Sequence, residues 1–425
     1  MDQHTSDSYG TPAVFPAQVA GLFYSDNPEQ LNTQIQSLMQ QANKATHCPK
    51  HPPKAIIAPH AGHRFSGRFA AIAYRHIMPA QQQIKRVVIF GPAHKMAFNG
   101  LAVTNSAQWQ TPLGPINVDS ELAQSITTLP NVSQTNQPFE GEHCLEVHLP
   151  FLQKLLPEFS IVPILVSRCK TEDISRVFDL IWDDPSTLIL ISSDLSHFHT
   201  DEKARGIDLQ TRRAIELLDS NGLQPQTACG SSPVKALLAA AKSKGLRPTT
   251  LAMGNSADAG GDKNRVVGYG SWRFDALETA ETPNPIRQDL LGIATQAIGY
   301  FGQKGEPPKL PKSLPVQYTN LRATFITLKI NDALRGCIGS LQAHRPLVED
   351  LVNNAIGAAF RDPRFAALTC EEYKLLDVGI SILSHSVAMQ FSDEEELLSQ
   401  LVPGEQGLIL TDKTQGARGT FLPMV

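Results

Sequence analysis

An α/β fold, a mostly parallel sheet flanked by helices, follows from three observations. Short apolar runs recur: AIIA at 55–58, VVIF at 87–90, IVPILV at 161–166 and TLILI at 187–191. Each has the length and the β-branched content of a strand buried on both faces. Segments of helical spacing separate these runs, which makes consecutive strands parallel with crossovers over the sheet. Three of the runs lead directly into histidine: APH at 58–60, GPAH at 91–94 and SSDLSHFH at 192–199. In such a sheet the carboxyl ends of the strands are where loops converge on a ligand.

The elements follow in order. Residues 1–13 are polar and read as a flexible start, and the apolar FPAQVAGLFY (15–24) packs. Asp26-Asn27-Pro28 opens a helix to about Ala42. After AIIA a helix is predicted over Gly67–Met78, and after VVIF a turn-rich connection over Asn105–Pro115. CLEVHLPFLQKLL (144–156) has helical spacing, kinked or ended by Pro150. IVPILV, a helix near Asp173–Ile181, the Thr187 run and a helix over Asp201–Leu218 come next. A helix from Pro233 to about Lys244, strand Thr249–Met253 and strand-like Arg265–Phe274 close the first domain, 14–274. DALETAETPNPIR (275–287) is acidic, proline-bearing and without apolar period, as a linker is. The second, smaller α+β domain, 288–425, is expected to hold helix Gln288–Phe301, a Pro/Lys loop, strand Ala323–Ile330, a turn at Leu334–Gly339, a helix after His344 and strand Val378–Leu383.

Bulk properties narrow the function. The 425 residues are 41% hydrophobic and 18% charged, with a net charge of -4, which argues against a nucleic-acid or anionic-membrane surface. The amino terminus has neither the basic region nor the apolar core of a signal peptide, and no run is long enough to span a membrane. The six cysteines are scattered without a CxxC pair, which fits reduced thiols and a cytoplasmic location.

The candidate chemistry lies in the first domain, where 11 of the 13 histidines fall at or before His199. His60, His94 and Cys229 each follow an element end flanked by Gly or Pro, residues that let backbone approach a shared cleft. Two imidazoles and a thiolate suit iron, zinc or copper. Asp194 and His197 then serve beside the metal, as an acid/base pair or as substrate contacts. Glu142 and His143 are placed to orient a ligand, with His63 near the pocket. His148, on an apolar helical stripe, reads as a packed core histidine.

These residues carry a resemblance. AGLFY (20–24), APHAG (58–62), GPAH (91–94), EHCLEVHLPFLQ (142–153), SSDLSH (192–197) and CG (229–230) occur in the order seen in the Memo family. That family is similar in fold to the class III extradiol, LigB-like, non-haem iron dioxygenases. The resemblance implies a metal, iron(II) first and zinc or copper as alternatives, on His60, His94 and Cys229, with Asp194 and His197 lining the pocket. The dioxygenases carry a carboxylate where Cys229 falls, and the family more often has Tyr where His63 stands. Residues 286–425 resemble the AMMECR-type domain through LRGCIGS (334–340), AFRDPRF (359–365), SIL (381–383), GLIL (407–410) and RGTFLP (418–423). Within it, Cys337 is either a buried thiol in a glycine-bounded turn or a reactive one. Arg335, Arg361 and Arg364 are candidate site residues, the last two either binding an anion or capping neighbours such as Asp362. Family members continue past FLP, so the expectation is either a second domain without its closing piece or a sequence that is incomplete at Val425. The pairing implies a fusion acting with a radical SAM protein, as in AmmeMemoRadiSam systems. Three functions compete: an iron-dependent, dioxygenase-like oxidoreductase acting on a small molecule, a binding or adaptor protein with a vestigial site, and a zinc hydrolase.

Overall fold

The computed structural model describes residues 14–45, 51–276, 284–311, 314–384, 386, 389–402, 406–411 and 418–421. The start at 1–13, most of the expected linker (277–283) and the FLP segment beyond Phe421 lie outside them. The large sheet has 12 strands, and its parallel heart runs Gly114–Val118, Ser160–Val166, Arg86–Pro92, Thr187–Ser192, Ala55–Ala58. Val266–Ala276 adds antiparallel to the Ala55 strand, and Leu246–Asn255 pairs with it in turn. This is the mixed, mostly parallel α/β sheet that the apolar runs predict. Every residue of Ala55–Ala58 and Thr187–Ser192 is buried. Each such Ile or Leu stabilises the fold by about 1.5–3 kcal/mol relative to an exposed side chain. Pro163 sits inside a central strand, but the antiparallel pairing on that side stops at Ile164, so its missing N–H breaks no ladder bond there.

Helices Pro28–Ala45, His63–Arg75 and Leu149–Leu155 pack together, as do Thr171–Ile181 and Ser231–Ser243. Four local expectations are corrected. The helix after AIIA begins at His63, directly behind Gly62, rather than at Gly67. The stretch 105–115 is a hairpin, Gln108–Thr111 against Gly114–Val118, because Trp109 and Thr111 alternate inward and Gly114 takes a positive φ of 116°. Pro150 starts a helix, Leu149–Leu155, after a 3-10 turn at Glu146–His148, since proline at a first turn removes only an N–H that has no helical partner. LRGCIG is a strand, Ala333–Gly339; the turn lies before it at Asn331–Asp332, with φ of 50° and 63°, the left-handed pair that a two-residue hairpin requires.

The first compact unit runs to Leu383 and contains a smaller three-stranded antiparallel sheet, Ala333–Gly339, Ala323–Ile330 and Leu376–Leu383. Helices Asn284–Lys304 and Leu347–Phe360 pack on one another beside it. The unit from Ser384 holds helix Glu394–Gln400 and the hairpin Leu408–Thr411 with Arg418–Phe421. Among the described residues no helix is long and apolar enough to cross a membrane.

Within the first unit a buried polar seam joins the large sheet to the smaller one. Glu216 accepts from Arg212 Nε at 2.8 Å, Thr250 Oγ1 at 2.6 Å and the Leu321 N–H at 2.7 Å. Arg212 also donates to Thr319 and Asn320, and Arg322 donates to the Pro248 carbonyl. Burial, and then the neighbouring Arg247 guanidinium, push Arg322 down to about 9. Removing one member of a buried charge pair strands the other in a medium that solvates it poorly. Glu216→Ala is therefore expected to cost about 3–5 kcal/mol, read as a lowered midpoint in chemical denaturation.

Candidate metal centre

Three adjacent parallel strands build the site. The Thr187 strand lies between the Arg86 strand and the Ala55 strand, with Phe90 opposite Ile191 and Ala58 opposite Ser192. His94 and His60 therefore leave the sheet on either side of the Ser192–Asp194 segment, all at carboxyl ends. Cys229 arrives from the loop before helix Ser231–Ser243. Its N–H donates to the Asp194 carbonyl at 3.2 Å, and the Asp194 N–H points to its sulfur at 3.3 Å. Gly230 permits this approach: a Cβ there would stand 2.7 Å from the Ser192 carbonyl oxygen. Gly91 does the same for the Arg86 strand, where a Cβ would meet Cys144 Sγ at 2.6 Å.

The donor atoms of His60, His94 and Cys229 all lie within 4.8 Å of one another. Cys229 Sγ is 3.3 Å from His60 Nε2. Each imidazole has its Nδ1 occupied elsewhere, His60 with Ser192 Oγ at 2.6 Å and His94 with Glu142 Oε1 at 3.0 Å. Both rings thus turn Nε2 toward the common point. Burial, followed by the neighbouring His94 ring, holds His60 well below the usual imidazole range, and so neutral. Burial, then Asp194, pushes the Cys229 thiol up, so thiolate at this position calls for a cation. Two imidazoles that turn Nε2 to a common point and one half-buried sulfur fit iron(II), zinc or copper, and binding would displace the thiol proton.

Glu142 ties the His94 side together. Its carboxylate accepts from the His94 N–H at 2.6 Å, the His143 N–H at 2.9 Å and the Cys144 N–H at 3.1 Å, in addition to the His94 ring. Burial alone would raise it, but the hydrogen bonds from His143 and His94 outweigh that and hold the carboxyl well below its ordinary range. The His143 ring stacks between Phe23 and His94, at centroid distances of 4.5 and 4.8 Å. Glu142 and His143 also form, with His94, a second group of donor atoms within 4.8 Å of one another.

Asp194 is buried and accepts from the His60 N–H at 2.7 Å, and burial raises its carboxyl to about 7. His197 opens a short strand, His197–His199, paired with Val266–Val267. It is lowered by burial and lies close enough to His94 and His143 to feel their charge. His63 does not line this pocket as expected. Its Nε2 donates to the Val147 carbonyl at 2.8 Å, and its ring packs on Tyr24 and Phe151 in the core. His148 is buried as expected, but it also hydrogen-bonds Ser192 and Tyr74. Tyr74 carried no sequence signal, since a tyrosine on a helix is ordinary, and Ser192 stood out only as the first residue of SSDLSH, with no role attached to it.

Three of the second-domain candidates meet: the Arg335 and Arg364 guanidiniums both lie over the Phe365 ring, and Arg364 donates to the Cys337 carbonyl at 3.2 Å. Arg335 makes a bidentate pair with Glu372, and Arg364 pairs with Asp362. The Cys337 N–H donates to Asp362 at 2.8 Å, within a strand rather than a turn. Arg361 lies over the Phe301 ring. Of the two readings for Arg364, the structure shows the pairing with Asp362.

Residues 16–273 match the family model of the Memo-like protein. The chain belongs to the Memo family. Residues 291–425 match the AMMECR1 model, so one chain carries both a Memo and an AMMECR1 domain. A MEMO1 family protein of Sulfolobus acidocaldarius is 32% identical over 278 residues, 60% of this chain and 97% of that protein. Another from Aquifex aeolicus is 34% identical over 262 residues, 59% of this chain and 95% of that one. Among solved structures, uncharacterized protein PH0010 from Pyrococcus horikoshii is 31% identical, covering 32% of this chain and 68% of that chain with a TM-score of 0.30. The Memo match contains His60, His94 and Cys229, the group that could hold a metal.

Burial of neutral His63 in the Memo domain has a pH consequence. Burial lowers it from 6.5 to about 4, so the unfolded chain takes up a proton first as pH falls. The stability carried by the neutral ring is complete above 6.5 and is lost as pH drops toward 4, about 3 kcal/mol in all. Urea midpoints should fall over that window, and His63→Gln, which keeps a donor for the Val147 carbonyl, should flatten the fall.

Proposed function

We propose that the Memo domain is a metal-dependent oxidoreductase centre of dioxygenase-like type, with iron(II) held by His60, His94 and Cys229. The observation that carries the reading is the meeting of these three donors, from three separate parts of the chain, within 4.8 Å. Iron(II) there supplies a Lewis acid and a redox couple for a small oxygen-bearing substrate. The chain's own groups provide the rest. Asp194, with a carboxyl raised to about 7, can hold or release a proton near neutrality. His197, kept neutral by burial, is a proton acceptor at the same mouth. Glu142 keeps His94 aimed by accepting its Nδ1–H. Phe23, stacked on His143, supplies an apolar wall against which a ring could lie. The fused AMMECR1 domain supports a role within a system that includes a radical SAM protein as partner.

Protein purified without oxygen should take up iron(II) to a single ion per chain, and His60→Ala should abolish that uptake in elemental analysis. Iron-loaded protein should then consume dioxygen with some member of a catechol and phenol panel. Uptake undiminished in His60→Ala would overturn the reading. Zinc retained with hydrolytic turnover would assign the site to a hydrolase. Capture of a radical SAM protein with no turnover on any substrate would make the chain an adaptor.

A further inference from the structure

Ser192 has three polar neighbours and a single proton. It lies 2.6 Å from the Cys144 carbonyl, 2.6 Å from His60 Nδ1 and 2.9 Å from His148 Nε2. A carbonyl oxygen only accepts, so the Ser192 hydroxyl proton goes to Cys144. Both ring nitrogens must then donate to the Ser192 oxygen. His60 therefore carries its proton on Nδ1, and His148 carries its proton on Nε2. The remaining His148 nitrogen, Nδ1, accepts from the Tyr74 hydroxyl at 2.7 Å. Each link admits one assignment only, and every member is buried: Tyr74, His148 and Ser192 are at most 1% exposed. Water cannot rescue an alternative arrangement, and a mismatched link would leave a buried polar atom unpaired at about 1–3 kcal/mol.

We propose that the chain Tyr74–His148–Ser192, anchored on the Cys144 carbonyl, is a tautomer lock that leaves His60 with its Nε2 lone pair free to bind metal. Ser192, His148 and Tyr74 are positioning residues, none of which contributes a donor atom to the three-residue group. The inference rests on the metal reading for its purpose, but the tautomer can be observed without any metal. Cys144 adds a constraint of its own: its carbonyl serves the lock, while its N–H serves Glu142. One short turn thereby orients both ligand imidazoles, His60 through Ser192 and His94 through Glu142.

The test uses the full chain. Long-range proton–nitrogen NMR of the metal-free protein should show His60 as the Nδ1–H tautomer. In Ser192→Ala the tautomers should mix, and affinity for cobalt(II), read from its absorption bands against a competing chelator, should fall by about 10–100-fold. Tyr74→Phe deletes one hydroxyl from a ring that is otherwise kept, so it guards against misfolding in the serine variant. It should weaken cobalt(II) binding less, but in the same direction. A wild-type His60 in the Nε2–H form, or Ser192→Ala with unchanged tautomer and affinity in a folded protein, would overturn the lock. Wild-type protein with the Nδ1–H tautomer but no cobalt(II) binding would instead leave the lock standing and sink the metal reading.

Discussion

The alignment of the Thr187 strand between its two parallel neighbours governs everything at the Memo site. Ala58 faces Ser192 across one ladder and Phe90 faces Ile191 across the other. A slip of one residue would turn Ser192 from one face of the sheet to the other and separate it from His60. The register is protected because all six residues of the central strand are buried, so a slip would also place polar atoms among apolar ones. Ligand placement is thus a by-product of core packing, and the loops add only the last few ångströms.

Those last ångströms are set by acceptors rather than by charge pairs. Glu142 gathers N–H groups from His94, His143 and Cys144, and the Cys144 carbonyl takes the Ser192 proton. A carboxylate surrounded by that many donors stays ionised although buried, and it fixes the ring it faces. Asp194 has fewer partners and its carboxyl rises to about 7. Two buried carboxyl groups of the same site therefore have opposite protonation tendencies, set by the number of donors that each one faces.

The seam between the large and small sheets uses the same economy. On helix Asp201–Glu216, Asp208, Arg212 and Glu216 fall on one face at intervals of four residues. Asp208 accepts the Ser196 N–H beside His197, while Arg212 and Glu216 bond Asn320 and Leu321. A single helical stripe thus touches both the strand bearing His197 and the beginning of the small sheet.

Read alone, the sequence determined the central apolar strands, the mostly parallel class of their sheet and the strand ends from which His60 and His94 leave it, because apolar runs and their lengths are local properties. It also placed His60, His94 and Cys229 beside glycines and prolines whose purpose was close approach. The hairpin at 108–118 and the strand at Ala333–Gly339 were not legible, since Trp109, Gly114 and the Asn331–Asp332 turn acquire their meaning only from pairing partners. The place of His63 was not legible for the same reason: it is a histidine near apolar neighbours, and only tertiary packing puts it in the core and connects the buried His148 to Ser192. Hydrogen-bond direction is a property of three groups meeting in space. No periodicity in a chain encodes it, and so the aim of each ligand nitrogen was decided by the fold.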